Sequence, residues 1–233
     1  MAGRRRPKLR VVSYNVHTLR DDLTALAGVV RKLAPDVLIV QEAPRRFRWR
    51  GRTARLAHDF GLTYAVGGLP SLGNVIMTNL RVRVVETWSS RYPLTPGRHM
   101  RGAAFARCEV DRSPVTIVGS HLSTDVAERV GQAALLKDWV STVDTPVVLG
   151  ADVNENADGA AWRLLANDCV DVAEKAKGAE KYTFSCADPR DRIDAMFVDK
   201  RISVVDYDVV DTPEARRASD HFPIVADLTL PLR

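Results

Sequence analysis

The chain has 233 residues, 34 Lys and Arg against 29 Asp and Glu, a net charge of +5 and a pI near 9.3. Hydrophobic residues make up 45% and charged residues 27%, which excludes a disordered or fibrous protein. No apolar run approaches the roughly 18 residues of a membrane span or forms a signal-peptide core. We expect a soluble, cytoplasmic protein with a basic flexible tail over residues 1–8 and a single domain over residues 9–233.

The N-terminal part of the chain predicts a β-α-β unit. Leu9–Tyr14 is an apolar run of strand length, and residues 23–33 carry apolar side chains at helical spacing behind Asp21, the expected cap. Pro35 ends this helix, and Asp36–Gln41 predicts a buried strand. Such a unit normally places two parallel strands side by side.

Residues 62–121 predict strands without helices between them, separated by turn sequences. These strands are Leu62–Val66, Asn74–Thr78, Val82–Trp88, Ala103–Val110 and Val115–His121. Hairpins combined with a β-α-β unit favour mixed sheets over a purely parallel one.

The C-terminal half returns to alternating helices and strands. Asp125 and Glu128 have capping-box spacing at the start of a helix over Val126–Val143, and a short helix is expected near Ala160–Ala166. Further strands are predicted at Pro146–Gly150, Arg192–Val198, Ser203–Val210 and Phe222–Leu230. The total is roughly ten strands and three or four helices. The three cysteines have no paired spacing, which predicts free thiols.

Polar residues stand where several apolar strands end: Asn15, Glu42, His121, Asp152 and Asn154. In α/β sheets, ligands bind outside the carboxyl ends of the strands, so these side chains are candidates for one site. Each residue alone also has an ordinary explanation as a turn, cap or surface residue.

Two further positions add to this candidate site. Asp194 lies inside an apolar strand, where a carboxylate needs a partner, and Asp220-His221 precedes Phe222. In extended chain Asp152 and Asn154 would project to the same side. Scattered carboxylates and amides suit Mg²⁺ better than Zn²⁺.

Six short motifs in order resemble the endonuclease/exonuclease/phosphatase superfamily, and the resemblance spans Val11 to Asp227. They are SYN at Ser13–Asn15, QE at Gln41-Glu42, SH at Ser120-His121, GADVN at Gly150–Asn154, RID at Arg192–Asp194 and SDHFP at Ser219–Pro223. The resemblance implies an α/β fold, a four-layer sandwich of two mixed β-sheets flanked by helices. It also implies metal-dependent cleavage of a phosphate ester.

The resemblance assigns roles to these positions. It implies that the metal is held by Glu42, Asn15 and Asp220, and that Asp194 with His221 orients and activates the attacking water. By the same resemblance, the nucleophile, a second metal or the scissile phosphate is held by Asp152 and Asn154, and the phosphate or leaving oxygen is assisted by His121. Contacts to substrate phosphate are implied for Asn74 and Arg101.

The chain departs from the family pattern at two places. Ala151 stands where a glycine is usual, a small change. The strand from Asn74 ends at Asn79, where many relatives have Ser-Arg, so a phosphate-contacting arginine is missing there.

Three functions remain in competition. The first is a Mg²⁺-dependent nuclease on DNA or RNA, with Mn²⁺ as a substitute, which the pI and the arginines of 45–55 favour unless these are only a solvated helix face. The second is a phosphatase or phosphodiesterase for a small or lipid ester, similar to inositol phosphatases or sphingomyelinases. The third, a non-catalytic binding module, is disfavoured because all the chemical positions are retained. We expect a monomer without an obligate protein partner; endo- or exonuclease action and the number of metals stay open.

Overall fold

The computed structural model describes residues 5–175 and 181–232 and places two six-stranded sheets face to face within those ranges. The first sheet contains β1 (Lys8–Asn15), β2 (Val37–Gln41), β3 (Thr63–Gly67), β4 (Val75–Thr78), β11 (Ser203–Val209) and β12 (Ile224–Thr229). The second contains β5 (Arg83–Arg91), β6 (Gly102–Val110), β7 (Ser113–His121), β8 (Val147–Asp152), β9 (Cys169–Asp171) and β10 (Asp194–Asp199).

Helices accompany both sheets. They are α1 (Leu23–Leu33), α2 (Trp49–Phe60), α3 (Val126–Ser141), α4 (Ala160–Ala166), α5 (Val172–Lys175) and α6 (Pro213–Ala218), with a 3₁₀ turn at His17–Leu19. None of those within the described ranges is long and apolar enough to cross a membrane. The predicted four-layer sandwich with two mixed sheets is confirmed.

The two sheets share one pattern of strand pairing. Their orders are β11-β12-β1-β2-β4-β3 and β5-β6-β7-β8-β10-β9. In each sheet only the central pair is parallel, β1 with β2 and β7 with β8. Each parallel pair is connected through a helix, α1 or α3, and the carboxyl ends of the two pairs meet at one edge of the sandwich.

The central strands turn every second residue into the layer between the sheets, as strand geometry dictates. Buried Ile39 of β2 lies against Gly119 of β7 and Gly150 of β8 in this layer. Two residues further along the second sheet, the same alternation turns His121 and Asp152 inward. The apolar layer therefore ends in polar side chains at the edge where the parallel strands finish.

Several sequence predictions need correction. The cap of α1 is Asp22, whose carboxylate accepts from the backbone N–H groups of Thr24 and Ala25, while Asp21 instead contacts His17. The helix α2 was not predicted, because its arginines obscured the apolar spacing. The sequence predicted eleven strands individually, with a total of roughly ten, against twelve in the described residues; β9 is the strand that it missed. It also missed the short helices α5 and α6.

Other predictions stand as made or lie outside the described ranges. Asp125 caps α3 by accepting from the N–H of Glu128, as the spacing indicated. The three cysteines are free, and burial raises the pKa of Cys108 and of Cys186 to about 12. Of the predicted tail, residues 1–4 lie outside the described residues, and Lys8 already pairs with Thr229.

We expect a side chain at either of the two inter-sheet glycines, Gly119 and Gly150, to destabilise the folded protein. A Cβ at Gly119 would lie 2.7 Å from Ile39 Cγ2, and one at Gly150 would lie 2.8 Å from both Ile39 Cδ1 and Ser13 Oγ. Gly119→Ala and Gly150→Ala should each lower the free energy of unfolding by about 1–3 kcal/mol in urea denaturation. Gly131→Ala, on α3 with open space around it, should instead stabilise by about 0.5–1 kcal/mol. Equal effects at all three positions would contradict this close contact between the sheets.

Candidate active site

Asp152 is the centre of the polar cluster between the sheets. It ends β8 and is only 1% exposed. Its Oδ2 accepts a hydrogen bond from Asn15 Nδ2 at 2.9 Å and lies 3.2 Å from His121 Nε2. Its Oδ1 accepts the backbone N–H of Asn154 at 3.0 Å. A buried carboxylate is stable only with such partners, so Asp152 is held from both sheets at once.

Asn15 links the first sheet to the second. The N–H of His17 donates to Asn15 Oδ1 at 3.0 Å, which fixes the orientation of the amide and directs Nδ2 at Asp152. The amide oxygen keeps one further lone pair. Asn15 thus positions Asp152 in this structure, and its predicted role as a metal ligand stays a prediction.

His221 and Asp194 form a second buried pair in contact with the first. His221 Nδ1 lies 2.8 Å from Asp194 Oδ2, and both residues are at most 5% exposed. This hydrogen bond places the proton on Nδ1, so the neutral ring would have its lone pair on Nε2. Nε2 lies 3.5 Å from Asn15 Nδ2 and 3.9 Å from Asp152 Oδ2.

Neighbours that the sequence analysis missed hold this pair in place. The Phe184 ring packs against the His221 ring with centroids 4.8 Å apart. Thr183 Oγ1 accepts the backbone N–H of Asp194 at 3.1 Å. Neither residue lies in the motifs that carry the family resemblance, and no sequence signal marked them.

The pKa values of the two buried histidines are shifted in opposite directions. Burial alone disfavours the charged ring, but attraction to the Asp194 carboxylate and its hydrogen bond outweigh burial and raise the pKa of His221 to about 10, with Asp152 adding to this. At His121 burial dominates and lowers the pKa to about 3, despite the attraction to Asp152. Carboxylates therefore dominate the potential around His221, whereas His121 is a neutral ring.

Asn154 is placed differently from the sequence prediction. It has a left-handed backbone (φ 57°) after the end of β8, so it does not continue the extended chain of Asp152. Its Nδ2 donates to the carbonyl of Leu122 at 2.9 Å. Arg129 of α3, which the sequence analysis missed, holds this turn through the Asn154 carbonyl and an ion pair with Glu155. Asn154 lies beside Asp152 and ties the ends of β7 and β8 together.

The loop between β1 and α1 reaches the other two acidic residues of the predicted site. Thr18 Oγ1 donates to Glu42 Oε2 at 2.8 Å. His17 Nε2 lies 3.6 Å from Asp220 Oδ2, and its Nδ1 lies 2.7 Å from Asp21 Oδ2. Both His17 and Thr18 have positive φ, a strained conformation for such residues that persists chiefly at functional sites.

The two predicted phosphate-contacting residues differ in their surroundings. Asn74 donates from Nδ2 to the carbonyls of Ser71 and Gly102, so its amide hydrogens join the turn at Ser71 to the start of β6, next to Arg101. Arg101 Nε is buried without a hydrogen-bond partner among the described residues. Burial lowers the pKa of Arg101, while the charges of Asp152 and Glu42 act in the opposite direction. An orphaned guanidinium donor is the kind of group an anionic ligand would satisfy.

The donors present fit a hard divalent cation. Ligand atoms of Asp152, Asp194 and His221 lie within 4.8 Å of one another, but the proton shared by the last two identifies them as a hydrogen-bonded pair. Asp220 acts electrostatically on His221, and Glu42 acts together with Asp152 on Arg101, so both carboxylates lie within electrostatic reach of this site. Oxygen donors in excess of nearby positive charge are typical of magnesium sites.

The cross-sheet bond from Asn15 yields a direct test. Asn15→Ala would leave buried Asp152 short of one donor, so we expect the free energy of unfolding to fall by about 1–3 kcal/mol. The matched control is Asn167→Ala, which removes an exposed amide that donates to Asp168 at 3.3 Å and should cost less than about 1 kcal/mol. Chemical denaturation of both variants measures the difference; a control that costs as much as Asn15→Ala would contradict the central place of the cross-sheet bond.

Comparison with known proteins agrees with this geometry. No curated protein sequence matches the chain. A protein of the endonuclease/exonuclease/phosphatase family from Bacteroides thetaiotaomicron superposes with a TM-score of 0.84 at 18% identity, covering 98% of both chains. A mannosyl-6-phosphatase from the same species gives 0.81 at 19%, covering 95% of this chain and 100% of the other. D. rerio TDP2 complexed with a single-strand DNA product gives 0.77 at 21%, covering 95% and 99%.

These identities establish a shared fold, and the family follows from the sequence itself. The sequence model of the endonuclease/exonuclease/phosphatase family matches residues 12–221, which include every predicted site residue. The resemblance carried by the six motifs is thereby confirmed. The chain belongs to the endonuclease/exonuclease/phosphatase family, whose members are phosphoesterases.

Proposed function

We propose that this protein is a divalent-metal-dependent phosphoesterase that hydrolyses a phosphodiester, with nucleic acid as its substrate. The observation that carries the proposal is the buried His221–Asp194 pair, whose free ring nitrogen faces Asp152 and Asn15. A histidine fixed in this way beside several carboxylates suits activation of water for attack at phosphorus.

His221 acts on the attacking water through Nε2. A bound cation would offset the carboxylate charge that raises the pKa of His221 and so favour the neutral ring. Because Asp194 holds the Nδ1 proton, the neutral ring accepts a proton only at Nε2. Asp152 faces Nε2 across 3.9 Å and would orient the water as it loses its proton. The proton passes from water to Nε2, and Asp194 stabilises the resulting imidazolium.

The phosphate is held by the groups around Asp152. Arg101 has an unpartnered buried Nε and would donate to a phosphoryl oxygen, where negative charge grows in the transition state. His121, a neutral ring beside Asp152, would assist at the phosphate or the leaving oxygen. Asn154 shapes this side by joining the ends of β7 and β8.

Glu42 and Asp220 would hold the metal, with Asn15 contributing the remaining lone pair of its oxygen. Their oxygen atoms suit Mg²⁺, with Mn²⁺ as a substitute. When bound, the ion supplies Lewis acidity at a phosphoryl oxygen and lowers the pKa of water.

Nucleic acid is favoured by the surface next to this site. Arg46, Arg48, Arg50 and Arg52 are exposed and pair with no carboxylate in the described part of the chain. Such a run favours a polyanion. D. rerio TDP2, which has the same fold, is seen with single-strand DNA.

We propose a monomeric, single-domain enzyme of the cytoplasm. The cytoplasm keeps thiols reduced, which agrees with the three free cysteines.

A small phosphate ester is the second candidate. The mannosyl-6-phosphatase of B. thetaiotaomicron, which the chain covers completely, shows that this fold also serves a sugar phosphate. The same catalytic groups would act on either class, so the substrates must be compared directly.

The test is cleavage of supercoiled plasmid and single-stranded oligonucleotide, beside p-nitrophenyl phosphate and bis-p-nitrophenyl phosphate, with Mg²⁺ or with chelator. We expect Mg²⁺-dependent cleavage of the polymers that falls about 10²–10⁴-fold in His221→Ala and Asp194→Asn, because the water loses its base or the base its orientation.

The matched control is His58→Ala, which alters an exposed histidine next to Asp59 and should leave the rate unchanged. Wild-type rates in His221→Ala would refute the mechanism. Hydrolysis of the small esters without cleavage of either polymer would refute the nuclease and support the second candidate.

A further inference from the structure

A cavity outside the polar cluster around Asp152 lies between the start of α1 and α2, along which its lining runs from Arg48 to Asp59. It has a volume of about 360 Å³. Three leucines line it, Leu19, Leu23 and Leu56, and we call them its floor. We call the two arginines Arg48 and Arg52, which also line it, its rim. We call it the α1–α2 cavity. An apolar floor with a cationic rim matches a flat ring attached to an anion.

Contacts within the described part of the chain leave apolar surface exposed and charges unpaired in the α1–α2 cavity. Leu23 stays 51% exposed although it belongs to the floor. Arg55 at the far side pairs with Asp59, whereas Arg48 and Arg52 have no ion pair in the part of the chain that the structure describes. The rim therefore presents two uncompensated positive charges above exposed apolar surface.

Phe47 adjoins the α1–α2 cavity through Arg48, which lines it. The side chain is 85% exposed, unusual for a phenylalanine, and the Arg48 guanidinium lies over its ring at 5.8 Å. Arg48 has a left-handed backbone (φ 57°) at the start of α2, a conformation rarely adopted without a reason for residues other than glycine. Phe47 and Arg48 are thus presented together at the surface.

Short stretches of chain connect the α1–α2 cavity to the proposed catalytic site. Leu19 of the floor directly follows Thr18, which donates to Glu42 at 2.8 Å. Phe47 is five residues beyond Glu42, which limits the separation of their Cα atoms to about 18 Å. A chain of nucleotides that enters the catalytic site can therefore reach the cavity within a few units.

We propose that the α1–α2 cavity, with Phe47 at its mouth, is a binding subsite for an unpaired nucleotide of the substrate strand. The base would lie against the leucines or stack on Phe47, while Arg48 and Arg52 contact its phosphates. A base in a duplex is covered by its neighbours and could not make these contacts. The protein would therefore prefer single strands over duplexes. This inference rests on the proposed nuclease function.

The experiment measures binding of a fluorescein-labelled single-stranded DNA oligonucleotide and of its duplex by anisotropy, with chelator to prevent cleavage, over a series of salt concentrations. We expect the wild-type protein to bind the single strand at least tenfold more tightly than the duplex. Phe47→Ala should weaken single-strand binding by roughly fivefold to a hundredfold, and Phe47→Trp should restore it.

Arg52→Glu tests the rim against a matched control. It should weaken binding at least tenfold. The fall of the logarithm of the binding constant with the logarithm of the salt concentration should become less steep by about one unit of slope. Arg163→Glu makes the same change of charge at an exposed residue that is also the fourth of its helix, α4, which lies beside the other sheet. Its oligonucleotide affinity should stay within twofold of wild type. An acidic residue in the first turns of a helix is compatible with its dipole, so both variants should fold.

Each result decides the inference. Equal effects of Arg52→Glu and Arg163→Glu, unchanged binding in Phe47→Ala, or equal affinity for duplex and single strand would overturn it while leaving the nuclease intact. A wild-type protein that neither binds nor cleaves oligonucleotides would overturn the proposed function itself. Loss of binding to phosphatidylserine vesicles in Arg52→Glu, without loss of oligonucleotide binding, would assign the cavity to a lipid surface and refute the inference.

Discussion

The hydrogen bond from Asn15 to Asp152 is the interaction on which the polar cluster between the sheets depends. It joins the end of β1 in one sheet to the end of β8 in the other. The bond forms only because the sheets approach closely, and Gly119 and Gly150 permit that approach by leaving room for Ile39. Close packing in the apolar layer thus sets the distance between polar groups at its edge.

The cluster is costly for the folded protein and suited to binding a cation. Asp152 and Asp194 are buried within a few ångströms of each other, and their charge raises the pKa of His221. Buried charges of one sign destabilise a fold unless they are paired or hydrogen-bonded. Here Asn15 and the Asn154 backbone provide those bonds to Asp152, and His221 provides one to Asp194, while the remaining negative potential stays available to a ligand.

The segments that follow β1 and β2 would connect the proposed catalysis with the proposed substrate recognition. The β1–α1 loop contacts Glu42 through Thr18 and continues into Leu19 at the α1–α2 cavity. The segment after Glu42 presents Phe47 and its neighbouring arginines. Groups for chemistry and for binding therefore sit on short stretches that share the same rigid strands, which keeps their relative positions defined.

Strand periodicity, strand ends and short motifs are local properties of the chain, so the family, the mixed α/β fold and the residue types of the site were predictable from the sequence alone. The helix α2 was not, because arginines obscured its apolar spacing, and the cap of α1 was misplaced by one residue, since two adjacent aspartates are equivalent until the helix forms. The three-dimensional structure was needed to show that Asn15 orients Asp152, that Asn74 joins a turn to β6, and that Leu19 and Arg48 line one cavity. These contacts join residues far apart in sequence, and their distances are set by the packing of two sheets, which no local pattern encodes.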